Sequence, residues 1–89
     1  MTLNGNAQAG QAPMPHGAQL PLSMVHAGET VQVLKVRGTS EMRNHLAELG
    51  FVPGAEVHVD SASSGDVIVI VKGARVALNK QVSSHIVTV

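Results

Sequence analysis

Apolar and polar residues alternate along "TVQVLKVRG", residues 30 to 38, a period of two that predicts a β-strand. Val31 and Val33 share one face of it, and Leu34 and Val36 share the other. Either both faces are partly covered or a β-bulge shifts the register between Val33 and Leu34. The period then lengthens. In "TSEMRNHLAELG", Met42, Leu46 and Leu49 recur at i, i+4 and i+7, one apolar stripe on a short helix. Thr39 or Ser40 suits the N-cap, and Glu41 stands in the first turn, where the helix dipole favours an anion.

The period returns to two in "AEVHVDS", with Val57 and Val59 inward and Glu56, His58 and Asp60 outward. "SASSG" reads as a polar loop. Residues 67 to 71 are five β-branched apolar residues in a row, which predicts a central strand covered on both faces. Lys72-Gly73 turns the chain into "ARVALN", with Val76 and Leu78 on one side and Arg75, Ala77 and Asn79 on the other. "KQVSSH" suits one helical turn and "IVTV" a last short strand. Short strands at this spacing, with a helix after the first, predict an all-β fold, a small barrel.

Upstream, "MTLNGNAQAGQAPMPHGAQLP" has neither period and almost no charge. Residues 1–20 are expected to form a flexible tail, because they cannot bury enough apolar surface to offset their ordering entropy. Met14 and His16 lie within it. The ordered domain is expected over residues 22–89, with Leu22 and Val25 packing and Ala27-Gly28 turning the chain.

The chain has a single aromatic residue, Phe51, and it sits in the turn "GFVPG". Gly50 follows the last helical leucine, where a left-handed residue is wanted. Phe51 then falls where the helix-ending motif packs a side chain back onto Leu46. Pro53-Gly54 suits the two central positions of a type II turn. Phe51 is therefore expected to plug the helix end into the core. With no Trp and no Tyr, the core must be aliphatic and an aromatic-lined proline-peptide groove is excluded.

Charge and composition remove other classes. Six basic and six acidic side chains give a formal net charge of zero, which argues against a phosphate-neutralising nucleic-acid binder. No apolar run approaches the roughly 20 residues of a membrane span. There are no cysteines, hence no disulfide framework. The first residues lack the basic and apolar regions of a signal peptide, so a cytoplasmic location is expected.

"GETVQVLKV", "HLAELGFVPGAEV" and "GDVIVIVKGARVALNKQVSSHIVTV", taken in order, resemble the FeoA family of small SH3-like β-barrels over residues 22 to 89. The marker is Leu46-x-x-Leu49-Gly50-Phe51-x-Pro53-Gly54, followed by Gly65-Asp66, then Gly73 with Val76, Leu78 and Ile86. The sequence departs from the family where Val67 replaces a common proline after Gly-Asp, and in the length of its first 20 residues. The resemblance implies an SH3-like barrel and a cytoplasmic, non-enzymatic accessory of the ferrous-iron transporter FeoB. Its partner would be the transporter's cytosolic GTPase-containing region. The alternative is a metal-sensing regulatory domain, since the barrel is similar to the C-terminal domain of metal-dependent repressors.

The residues themselves offer little chemistry. No nucleophile elbow or phosphate-binding glycine loop occurs, and on the helix no two carboxylates stand at i, i+3 or i+4 to each other beside a histidine, so an enzyme is not expected. Of the five histidines, no two share helix-face spacing. His45, His58 and His85 belong to different elements, and the plainer reading is exposed surface histidines. His45 is the candidate ligand should Fe²⁺ or Zn²⁺ bind, with no cofactor otherwise implied. Arg43 and His45 on the outer face of the helix, with Val52 standing exposed at the turn, are the candidate partner contacts. Arg75 is expected to be solvated. A homodimer through an edge strand is left open.

Overall fold

The computed structural model describes residues 19–89. The expected tail lies outside these residues except at its end, as do Met14 and His16. Pairing begins earlier than residue 22: Leu20–Pro21 forms a short strand, β1, opposite Val87 and Thr88. Thr88 Oγ1, buried, donates to the Leu20 carbonyl at 2.8 Å and ties this strand down. A 3-10 turn over Leu22–Met24 follows, then β2 (Thr30–Val36), α1 (Ser40–Glu48), β3 (Glu56–Ser63), β4 (Asp66–Val71), β5 (Ala74–Leu78), α2 (Lys80–Ser83) and β6 (Ile86–Thr88). The six strands form one antiparallel sheet in the order β1-β6-β2-β3-β4-β5. This is the mainly-β architecture that the sequence predicts, with the helix after the first long strand.

Strand β2 joins the two halves of the sheet. Thr30 to Gln32 pair with β3, whereas Val33 to Val36 pair with β6, and the register shifts between Val33 and Lys35. The bulge therefore falls at Leu34, which is 37% exposed. It turns Val36 back to the core side with Val31 and Val33. Of the two readings of this stretch, the bulge is the one adopted, because an extra residue re-aims every side chain after it.

Two expectations need correction. "SASSG" is not a loop: β3 runs on to Ser63 and pairs through to Asp66. Ser64 at φ 54° and Gly65 at φ 92° form the two-residue connection, a type I′ hairpin turn. Polar composition did not prevent this, because the backbone of β3 finds its partners in β4 whatever the side chains. Secondly, β4 is covered on one face only. Val67, Val69 and Val71 are fully enclosed, while Ile68 and Ile70 on the other face are half-buried. Its central place comes from hydrogen-bonded neighbours on both edges, β3 and β5.

The core is aliphatic around one ring. Leu22, Val25, Val33, Leu46, the two buried valines of β3, the three of β4, Leu78 and Ile86 form one cluster with Phe51, which is 1% exposed. Burying such side chains contributes about 1.5–3 kcal/mol each. The short α2 packs Val82 on this core and is docked by polar contacts as well. Asn79 caps Val82 N–H at 2.8 Å, and Asp66 Oδ1 accepts from Lys80 N–H at 2.8 Å. The buried Ser83 hydroxyl donates to the Gly65 carbonyl at 2.8 Å. The Gly65-Asp66 pair thus holds both ends of α2 against the β3–β4 turn.

Candidate docking surface

Helix α1 is fastened at both ends. Thr39 Oγ1 accepts from Met42 N–H at 3.1 Å, which makes Thr39 the N-cap. At the other end Gly50, at φ 112°, donates to the Ala47 carbonyl and Phe51 N–H to the Leu46 carbonyl, both at 3.0 Å. Those two bonds are the full Schellman pattern that the leucine–glycine–phenylalanine order predicts. Pro53-Gly54 forms the expected type II turn, closed by Ala55 N–H to the Val52 carbonyl at 2.9 Å, with Gly54 at φ 88°. Gly54 N–H also reaches the Val33 carbonyl at 2.7 Å, and Val33 N–H the Ala55 carbonyl at 2.9 Å. The helix end, the turn and β2 are therefore one hydrogen-bonded unit, with the Phe51 ring beneath it.

With Met42, Leu46 and Leu49 held inward, the remaining positions of α1 divide between two flanks. Successive residues turn by about 100°, so Arg43 and His45 lie roughly 200° apart rather than on one face. His45 is exposed and stands with Glu41, Asn44 and Glu48 over a groove of about 620 Å³. Met42, Leu46, Val82 and Thr39 line the same groove. Arg43 is also exposed but points its guanidinium to Ser40 Oγ at 3.3 Å, outside this groove. Val52, expected to be exposed, is half-buried and packs against the core, because the type II turn folds it back.

Among the described residues the histidines do not gather. His58 Nδ1 pairs with Thr30 Oγ1 at 2.8 Å across the β2–β3 ladder, and His85 Nδ1 donates to the Gln81 carbonyl at 2.7 Å. Among the described residues no group of three His, Asp or Glu side chains is placed to hold a metal ion, so His45 has no set of co-ligands beside it. Arg75 is not simply solvated. It meets Asp60 at 2.7 Å, a pair whose side chains are 63% and 40% exposed. At such exposure the pair contributes about 0–1 kcal/mol. No helix among the described residues is long and apolar enough to cross a membrane.

The groove was missed from sequence because Val82 reaches it from α2, an element that no local pattern relates to α1. Glu41 and Glu48 share one flank of the helix. Their spacing of i and i+7 was the available signal.

The comparisons agree with this geometry. Residues 20–88 match the family model described as the FeoA domain. An iron uptake regulatory protein, FeoA, known by crystal structure, is 28% identical over 80% of this chain and 96% of its own, with a TM-score of 0.75. Stenotrophomonas maltophilia FeoA, crystallised with zinc and described as a procaryotic SH3 domain protein, is 26% identical over 79% of this chain and 89% of its own, with a TM-score of 0.69. A manganese-dependent transcriptional repressor, 23% identical over 90% of this chain and 45% of its own, shares the fold at a TM-score of 0.73. Among curated proteins no sequence matches the chain. The fold is SH3-like, and the chain belongs to the FeoA family of ferrous-iron-transport-associated domains.

Proposed function

We propose that this protein is a non-enzymatic, cytoplasmic accessory of a ferrous-iron transporter. It docks onto the transporter's cytosolic GTPase-containing region and modulates iron uptake. The observation that carries the reading, beside family membership, is the construction of α1. A capped, Schellman-terminated helix anchored by a buried phenylalanine presents both of its outer flanks to solvent in a fixed orientation. Fixing a surface before binding reduces the entropy lost on association, which is what a docking element needs. Arg43 on one flank and His45 on the other are the proposed contacts, with Val52 contributing its half-exposed side.

Isothermal titration of the full chain into the purified cytosolic region of a ferrous-iron transporter tests this directly. Binding at micromolar to sub-millimolar concentration is expected. Absence of heat at both low and physiological salt, with folded protein, would sink the proposal. A metal-sensing domain is the other reading, and the repressor's fold favours it. Shifted histidine NMR signals on adding Fe²⁺ or Zn²⁺ at sub-millimolar concentration would support it, and unchanged signals would remove it.

A further inference from the structure

The groove between α1 and α2 is unlike the rest of a chain whose charges balance. Met42 and Val82, both half-buried, make it apolar above the buried Leu46, while Glu41 and Glu48, both exposed, are the charged side chains that line it, and neither Lys nor Arg does so. We infer that this groove receives a cationic amphipathic helix from the docking partner. The inference rests on the proposed docking function and names the chemistry of what docks.

Charge complementarity selects the occupant. A helix laid in a groove offers apolar side chains at i, i+3 and i+4, which suit the part-exposed surface of Met42 and Val82. Lys and Arg beside that stripe would run their aliphatic stems over the apolar surface and bring their charged heads to Glu41 and Glu48. An acidic helix would instead meet two like charges and gain nothing to offset their desolvation. His45, between the two glutamates on the same flank, adds a polar edge.

The probe is a synthetic helical peptide of leucine and lysine, titrated into ¹⁵N-labelled full-length protein. Amide shifts are expected to concentrate at residues 39–48 and 82, to weaken as salt is raised, and to be absent with the leucine–glutamate version of the peptide. Glu41→Lys with Glu48→Lys should weaken lysine-peptide binding about tenfold at low salt, since rim charges govern encounter and salt dependence. Glu41→Gln with Glu48→Gln should fall between, and Glu56→Lys, on β3 outside the groove, should leave binding unchanged. Shifts elsewhere on the surface, equal binding of the acidic peptide, or indifference to the double reversal would overturn the inference. The transporter's cytosolic region separates this from the broader reading. If that region binds the wild type and the double reversal equally, the groove is wrong and docking stands. If it binds neither while the peptide still maps to the groove, the transporter reading falls instead.

Discussion

Replacing Gly50 with alanine should unfold this domain more readily than the same change at Gly54, and the difference can be worked out in advance. Both glycines have positive φ, 112° and 88°, so each alanine takes on a left-handed backbone cost of about 1–2 kcal/mol. At Gly54 nothing else lies within 4 Å of the added Cβ, and the cost stops there. At Gly50 the Cβ would stand 2.7 Å from Lys72 Cγ and 3.3 Å from Val71 Cγ2. Lys72 is exposed and can swing aside, but Val71 is fully buried in β4 and cannot. Overpacking against such a neighbour costs about 1–3 kcal/mol. Gly50→Ala should therefore lose about 2–5 kcal/mol against about 1–2 for Gly54→Ala. At about 4–8 °C per kcal/mol for a domain this small, the melting temperature should drop by about 8–40 °C in the first case. Adding Lys72→Ala to Gly50→Ala should restore only a small part, because the valine contact remains. With no Trp or Tyr to report fluorescence, far-ultraviolet circular dichroism in urea is the suitable assay. Equal losses for the two alanines would refute the claim that the helix end is pinned against β4.

Three further outcomes follow from the same packing. Phe51→Ala should cost about 3–5 kcal/mol, a large share of the stability of a domain of this size, and hydrogen exchange should show α1 and β4 losing protection together. Ser83→Ala should cost about 1–3 kcal/mol by leaving the Gly65 carbonyl without the donor it has at 2.8 Å, read in urea unfolding with the slope unchanged. Lys72→Asn should stabilise by about 0.5–1 kcal/mol, since Lys72 sits at φ 53° beside Gly73 in a hairpin turn that favours Asn-Gly; a lowered urea midpoint would contradict it.

Much of this fold was legible because its signals are local. The Schellman end, the type II turn and the Phe51 anchor each depend on residues within a few positions of one another, and hydrogen-bonding rules link them to sequence directly. The bulge at Leu34 was legible as one of two choices, because apolar residues on both sides of a strand demand either two cores or a shift. What escaped was set by distant partners. Ser64 adopts a left-handed turn that its residue type does not advertise, and β3 extends because β4 lies alongside. The Arg75–Asp60 pair depends on the register through β4. The groove needed α2 brought to α1, and the separation of Arg43 from His45 follows from fixing which stripe of the helix turns inward.

Both termini of α1 are closed by bonds within their own neighbourhood, and the strands on either side are joined directly through Val33, Gly54 and Ala55. The segment from Thr39 to Leu49 is thus a cassette, seated in a frame that would close without consulting its solvent-facing letters. Drift at those positions is expected to leave the barrel beneath folding as before.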